Sequence, residues 1–164
     1  SSSFDPCIGT FKDGVVMASA GIDASIADGK FILLPRVSFS AARELRRALR
    51  KKFSVKNLGV LITDSRTLPL RAGIGGVAVG YAGFKGIKEY RSARDIFGRK
   101  FVFSRVDVAD SLAAAAVLVM GEGNECKPLA VVEDAPVEFS ERVRRNELTI
   151  SVKDDLYRPI YLLK

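Results

Sequence analysis

Two aspartates stand at the ends of apolar segments, where a folded core could aim their carboxylates at one point. Asp64 directly follows the apolar run 58–63, and Asp110 directly precedes the apolar run 111–120. Hard divalent cations such as Mg²⁺ bind oxygen ligands, commonly one or two carboxylates together with the phosphates of a substrate. The pair therefore indicates a metal site, although a turn aspartate and a helix-capping aspartate would give the same local pattern.

The rest of the composition excludes several classes of catalytic and metal site. The 164 residues include no histidine, which excludes Ser-His-Asp and Cys-His nucleophile systems, imidazole bases and His-ligated zinc. Cys7 and Cys126 are too few for a disulfide framework and lack CxxC spacing, so they predict ordinary thiols in a reducing, cytoplasmic setting. The longest apolar run, residues 112–120, is shorter than the roughly 18 residues of a membrane span. Carboxylates, hydroxyls, cationic side chains or an oxygen-bound metal must carry any reaction.

Glycine recurs between residues 73 and 86, at positions 73, 75, 76, 80, 83 and 86. Residues 73–78 partly imitate a dinucleotide-binding fingerprint, but they follow a loop containing Pro and Arg, and no clear helix follows them. Two interpretations remain, a ligand loop and a strand that packs closely against another backbone. The poor context for a phosphate-binding loop favours the strand.

Positive charge is concentrated in two places in a chain of formal charge +7. A predicted helix carries the first group: Arg43, Arg46, Arg47, Arg50, Lys51 and Lys52. This face could neutralise nucleic-acid phosphates, but no aromatic residues are interleaved for base stacking, so a solvated helix face is favoured. Predicted loops carry the second group, which could bind an anionic ligand bidentately. Its members are Arg66, Arg71, Arg91, Arg94 and Arg99.

A mixture of predicted helices and strands positions these residues. Ser40 is predicted to cap a helix over residues 41–52. Residues 58–63 predict a strand, followed by a polar loop over residues 64–71. Asp110 is predicted to cap a helix over residues 111–120 that is apolar on every side and therefore buried. Further strands are predicted at residues 128–132 and 148–152. The irregular order predicts an α+β fold with mixed or antiparallel sheets.

Four segments resemble successive motifs of one family. They are AGIDAS at 20–25, LGVLITDS at 58–65, DIFGR at 95–99 and VADSLAAAAVLVMG at 108–121. The chain is similar to the coenzyme F420-0:L-glutamate (γ-glutamyl) ligase family, most of all to its folate-metabolism γ-glutamate ligase branch. The resemblance extends over about residues 7–159 and indicates one γ-glutamyl ligase-like domain over residues 1–164. Because family members carry further N-terminal residues that help to bind nucleotide, the sequence is expected to be part of a longer protein.

The resemblance implies an F420 ligase-like α+β homodimer that uses GTP and Mg²⁺ or Mn²⁺. The implied reaction joins L-glutamate by an amide bond to a carboxylate-bearing acceptor that is F420-0-like or folate-like. By position, Asp64 and Asp110 match the family's metal-binding aspartates. Ser111 stands where the family usually has a further acidic residue beside the metal, and it is assigned to the metal site.

The resemblance also implies residues for the nucleotide and the substrate. Thr67 belongs to the loop that contacts nucleotide in the family, and the arginines of that loop, Arg66 and Arg71, are assigned with it. Asp23 and Arg99 lie in two of the matching motifs and are assigned to the substrate. For Asp23, the local sequence fits a carboxylate that caps backbone amides equally well.

The chain departs from the family pattern beside Asp64 and Asp110. The loop over residues 64–71 keeps only the aspartate, the proline and the final arginine of the usual family sequence, and Ser111 replaces an acidic residue. These departures favour a second hypothesis, a non-catalytic relative that binds a nucleotide or an anionic cofactor. Nucleic-acid binding through residues 43–52 is a third.

Overall fold

The computed structural model describes residues 9–12, 15–18, 22–23 and 30–161. The elements in chain order are β1 (Gly9–Lys12), β2 (Val15–Ala18), β3 (Ile22–Asp23), β4 (Ile32–Leu33), α1 (Ser38–Phe53), β5 (Val60–Thr67), β6 (Ile74–Phe84), β7 (Ile87–Glu89), β8 (Arg105–Asp107), α2 (Val108–Met120), β9 (Phe139–Ser140) and α3 (Arg158–Tyr161). Each of the strand pairings β1–β2, β3–β4, β5–β6, β6–β9 and β7–β8 is antiparallel. The predicted α+β class is confirmed.

Strand β6 is the centre of this fold. It lies between β5 and β9 in a three-stranded sheet, and both α1 and α2 pack against it. A Cβ atom on Gly80 would lie 2.5 Å from the carbonyl carbon of Ser38 in α1, and one on Gly76 would lie 2.6 Å from that of Ala113 in α2. Glycine is therefore needed where each helix backbone crosses the strand. The glycine-rich segment is the closely packed strand that the sequence favours, not a ligand loop.

Strand β5 is longer than predicted. Residues 64–67 pair with residues 74–77 of β6, so the prediction of a polar loop beginning at Asp64 is wrong. The long partner strand supplies backbone hydrogen-bond partners along the whole segment, whatever the polarity of the side chains. A register shift between Ile62 and Thr63 marks a bulge beside the segment that carries Asp64.

Helix α1 begins two residues before the predicted cap. Its N-cap is Val37, and the Ser40 hydroxyl accepts a hydrogen bond from Arg43 Nη2 at 2.9 Å. Ser38 is fully buried against β6. Packing therefore extends the helix beyond the boundary that local capping chemistry predicts.

Helix α2 begins at Val108 and is capped by Asp107, whose carboxylate accepts the Asp110 N–H at 2.9 Å. Asp110 thus lies in the first turn, and its prediction as the cap is wrong. The prediction that the helix is buried on every side is also wrong, because the side chains of Leu118 and Val119 are 83% and 64% exposed. Within the described residues, the buried side chains of the helix lie on one face, which packs on β5 and β6.

The C-terminal third is largely irregular. Residues 128–132 and 148–152 form no strand in the described chain, so both predictions of strands there are wrong. An apolar run becomes a strand only where a neighbouring backbone pairs with it, and that neighbour is not encoded locally. Among the helices of the described residues, none has the length and apolar character needed to cross a membrane.

An ion pair attaches α1 to the segment after β9. The Arg46 guanidinium donates two hydrogen bonds to the Glu141 carboxylate, at 2.7 and 2.9 Å, and a third to the Leu58 carbonyl at 2.7 Å. The backbone at Gly83 has a φ of +94°, and a Cβ there would lie 2.8 Å from Arg46 Cδ. Glycine therefore makes room for the arginine stem at this position.

This ion pair predicts a pH dependence of stability. The Arg46 guanidinium lowers the pKa of Glu141 from 4.5 to about 2. A carboxyl group with a depressed pKa contributes stability that is present above its unfolded-state pKa and is lost as the pH falls through its folded-state pKa. We therefore expect Glu141→Gln to lower the free energy of unfolding at neutral pH, and the difference from the unchanged chain to shrink between about pH 4.5 and pH 2.

Urea unfolding across this pH range measures the difference between the two proteins. Glu133→Gln is the matched control, because Glu133 is an exposed glutamate outside the ion pair. A loss of stability in Glu141→Gln that stays the same at every pH would contradict the assignment to Glu141 ionisation.

Candidate active site

The Asp110 carboxylate is fixed by a strand and by an arginine. Its Oδ1 accepts the backbone N–H of Ala78 in β6 at 3.0 Å, and its Oδ2 pairs with Arg66 Nη2 of β5 at 2.8 Å. The side chain is 19% exposed, so it is largely covered yet can be reached. The first turn of a helix favours a negative charge at this position. Three core elements therefore hold one carboxylate in a defined place.

Asp64 lies on β5, the strand that also carries Arg66. It pairs with Val77 in the β5–β6 ladder, and Val77 directly precedes Ala78, which binds Asp110. Side chains two residues apart share a face of a strand, so Asp64 and Arg66 lie on the same face of β5. The Asp64 Oδ1 accepts the Ser65 N–H at 2.8 Å. The Asp64 backbone is therefore one ladder position away from the strand residue that binds Asp110, and the role of both aspartates as metal ligands stays a prediction.

A cavity of about 80 Å³ opens beside Asp110. Its polar lining consists of Arg66, Asp107, Asp110, Arg145 and Thr149. This volume holds an ion with a few waters, whereas pockets for drug-sized ligands measure roughly 300 to 1,000 Å³. A nucleotide could therefore bring only its phosphate end into the cavity.

A buried hydrogen bond and a capping carboxylate add polar groups to this part of the fold. The buried Tyr81 hydroxyl donates to Glu147 Oε2 at 2.8 Å. Burial, with this hydrogen bond adding to it, raises the pKa of Tyr81. Burial also raises the pKa of Asp107, against the opposing effect of the hydrogen bond from the Asp110 N–H. Asp107 itself lines the cavity, and Glu147 directly precedes Leu148, which lines it too.

Sequence reasoning missed Tyr81, Glu147 and Asp107. Asp107 could have been found, because an aspartate three residues before Asp110 has the spacing of a cap. Nothing local marks Tyr81 or Glu147, which are 66 positions apart and come together only in the fold.

Ser111 is exposed, and its hydroxyl donates to the Asp107 carbonyl. Within the described ranges, no three side chains among Asp, Glu, Cys and His come together as a metal-binding group. The oxygen-bearing side chains that line the cavity are Asp107, Asp110 and Thr149, and neither Asp64 nor Ser111 is among the described lining residues. The assignment of Ser111 to a metal stays a prediction.

The predicted nucleotide residues lie in or just after β5. Arg66 reaches the cavity, Thr67 is the exposed last residue of β5, and Arg71 lies exposed in the 68–73 connection to β6. The three residues therefore lie along one end of the β5–β6 hairpin. Their contact with nucleotide stays a prediction.

Of the predicted substrate residues, Arg99 is not among those that line the cavity. Arg99 is in an exposed turn, where its Nε donates to Asp95 Oδ2 at 2.8 Å and its guanidinium stacks over Phe97. Among residues 30–161, no hydrogen bond or ion pair joins Arg99 to the cavity. Asp23 pairs with Ile32 in the β3–β4 ladder, and its side chain lies outside the described part of the structure. Both assignments stay predictions.

Comparisons with known proteins agree with the sequence resemblance. Residues 4–134 match the family model described as F420-0:Gamma-glutamyl ligase. Three relatives named coenzyme F420:L-glutamate ligase are similar to the chain. The Methanococcus maripaludis protein is 37% identical over 90% of this chain and 58% of its own length, and the Methanopyrus kandleri protein is 42% identical over 73% and 48%. The Haloarcula marismortui protein is 35% identical over 92% and 58%.

These matches cover most of this chain, which itself spans about half the length of the relatives. The matched residues 4–134 include β5, β6 and α2, and with them Asp64 and Asp110. The chain therefore belongs to the F420-0:gamma-glutamyl ligase family, as its four motifs predict.

Proposed function

We propose that this chain forms the metal- and nucleotide-binding core of a ligase that joins L-glutamate to a carboxylate-bearing, F420-0-like acceptor. The observation that carries the proposal is the placement of Asp110 beside the cavity, fixed by Ala78 and Arg66, in a chain of this family. The proposal includes GTP as co-substrate and Mg²⁺ or Mn²⁺ as the cation.

The donor set fits a hard divalent cation. Asp64 and Asp110 would hold it through carboxylate oxygens, with the Ser111 hydroxyl as a neutral third donor. Such a set leaves coordination positions for water and for phosphate oxygens, which is how Mg²⁺ usually binds. When bound, the cation neutralises charge that develops on the transferring phosphoryl group.

The chemistry has two displacement steps. An oxygen of the acceptor carboxylate attacks the γ-phosphorus of GTP, the bond to the β–γ bridging oxygen breaks, and GDP leaves. The amine nitrogen of glutamate then attacks the carbonyl carbon of the acyl phosphate, inorganic phosphate leaves, and the amine loses a proton to solvent. Both steps need positioned charge more than a protein nucleophile, which agrees with a chain that lacks histidine.

Arg66 has a specific place in this proposal. Its guanidinium lies 2.8 Å from Asp110, in the cavity that admits a phosphate. A guanidinium binds phosphate oxygens bidentately, so Arg66 can stabilise the phosphoryl group while Asp110 faces the cation.

The direct test follows labelled glutamate and released phosphate in the protein that carries this chain. We expect one phosphate released for each glutamate incorporated, with GTP and Mg²⁺ or Mn²⁺ both required. ATP in place of GTP tests the choice of nucleotide. Nucleotide binding without any glutamate incorporation would overturn the proposal in favour of a non-catalytic relative.

A substitution at Arg66 should separate metal binding from turnover. We expect Arg66→Gln to strengthen Mn²⁺ binding about fivefold, because removing a neighbouring positive charge is worth about 1 kcal/mol near water. We expect kcat to fall about a hundredfold, because the phosphoryl group loses a positioned cation. Calorimetric titration with Mn²⁺ and steady-state kinetics measure the two effects. Arg105→Gln, which removes an exposed arginine, is the control, and parallel changes in both variants would contradict the role of Arg66.

The homodimer belongs to the proposal as well. The exposed Leu118 and Val119 on α2 support it, because apolar groups at this exposure favour a covering partner. Sedimentation analysis should give twice the chain mass. A monomer at micromolar concentration would remove this part of the proposal and leave the reaction untouched.

A further inference from the structure

An arginine-lined groove of about 480 Å³ lies between α1, β6 and the segment after β9. Its charged lining consists of Arg43, Arg46, Arg47, Arg50, Glu141 and Arg142. Five arginines and one glutamate give the groove a formal charge of +4. Such a concentration of guanidinium groups around a concave surface is a binding site for an anion of several charges.

Only part of this charge is used inside the protein. Glu141 is shared between Arg46 and Arg50, at 2.7 and 3.0 Å. Arg43 contacts the neutral hydroxyl of Ser40, and within the described chain no carboxylate lies within ion-pair distance of Arg43, Arg47 or Arg142. The side chains of Arg43, Arg47 and Arg142 are exposed. Glu141 thus partly neutralises Arg46 and Arg50, whereas Arg43, Arg47 and Arg142 are available to a ligand.

The groove and the Asp110 cavity are adjacent, because the same three segments line both. Phe39, Ala78 and Arg145 line the cavity, whereas Arg43, Ala82 and Val143 line the groove. Ala82 lies four positions after Ala78 on β6, which corresponds to about 13 Å. A flexible ligand with its reacting end near Asp110 could therefore extend along α1 into the groove.

We propose that this groove binds a γ-glutamyl chain, the polycarboxylate that repeated rounds of the proposed reaction would make and that an acceptor already carrying glutamate would present. The inference rests on the proposed function for its choice of ligand. Each γ-linked residue keeps a free α-carboxylate, and planar guanidinium groups pair with carboxylates in bidentate geometry. No aromatic side chain is among the described residues that line the groove, which disfavours single-stranded nucleic acid as the ligand.

Calorimetric titration with synthetic γ-linked triglutamate tests the groove without requiring turnover. We expect the double variant Arg43→Gln/Arg47→Gln to bind about tenfold more weakly, because two partly exposed charge-assisted contacts are lost. The matched control is Lys51→Gln/Lys52→Gln, which removes the same charge from the same helix outside the groove. We expect the control to bind like the unchanged chain. An equal loss in both variants, or no binding by the unchanged chain, would overturn the proposal.

Two further arms identify the ligand and separate this inference from the proposed function. Tighter binding of inorganic tripolyphosphate or of a single-stranded oligonucleotide than of triglutamate would assign the groove to phosphates and overturn the proposal. Asp110→Asn should retain triglutamate binding. This variant therefore distinguishes a loss of ligase activity from a loss of binding in the groove. Ligase turnover in Arg43→Gln/Arg47→Gln with an unchanged KM for a glutamate-bearing acceptor would overturn the proposed role of the groove and leave the proposed function unaffected.

Discussion

Asp110→Asn and Asp64→Asn are each expected to lower kcat/KM for metal-dependent glutamate addition roughly a thousandfold, because each removes a charge that would hold the cation at the phosphoryl group. The amide side chain introduced by Asp110→Asn would keep an oxygen for the Ala78 N–H but would lose the ion pair with Arg66. The fold should therefore survive while the electrostatics of the cavity change. Initial rates over a range of Mn²⁺ concentrations measure the effect, and excess cation should restore part of the lost rate.

The control for these substitutions is Asp154→Asn, which removes an exposed carboxylate in a C-terminal turn. Thermal unfolding of all three variants shows whether lost activity reflects lost structure. Turnover close to that of the unchanged protein in both Asp64→Asn and Asp110→Asn would end the assignment of the two aspartates to a metal site. A loss of activity in Asp110→Asn alone would reduce the proposed metal site to one aspartate.

The sequence predicted the site region well because strong local patterns carry it. The apolar run before Asp64 and the alanine-rich run after Asp110 each define a core element, and the close packing of β6 follows from its glycines. Motif order then identified the family, which the family model confirms. What could be predicted is therefore the set of elements and the residues at their ends.

What local patterns could not predict depends on pairing across the chain. Asp64 to Thr67 read as a loop because their side chains are polar, yet β6 pairs with them and makes them a strand. The Arg66–Asp110 ion pair and the Tyr81–Glu147 hydrogen bond join residues 44 and 66 positions apart. The apolar character of α2 indicated burial, but the helix has neighbours on one face only in the described chain.

Gly80→Ala is expected to destabilise the protein by about 3 kcal/mol, because an added methyl group would overpack the contact between β6 and α1. The new Cβ would lie 2.5 Å from the carbonyl carbon of Ser38 and 2.7 Å from the backbone nitrogen of Phe39. Both are backbone atoms, so no side-chain rotation relieves the clash, and α1 itself must shift. For a domain of this size, the midpoint of thermal unfolding should fall by about 6 to 12 °C.

The matched control lies on the same strand. A Cβ on Gly75 would meet nothing within 4 Å, so Gly75→Ala should change the free energy of unfolding by less than about 0.5 kcal/mol. Because Phe39 packs on Tyr81, with ring centroids 5.2 Å apart, a shift of α1 should also disturb the hydrogen bond between Tyr81 and Glu147. Urea unfolding of the three proteins measures the difference. Equal stability of Gly80→Ala and Gly75→Ala would show that α1 can move away from β6 without cost. Close backbone packing would then not determine the position of the site.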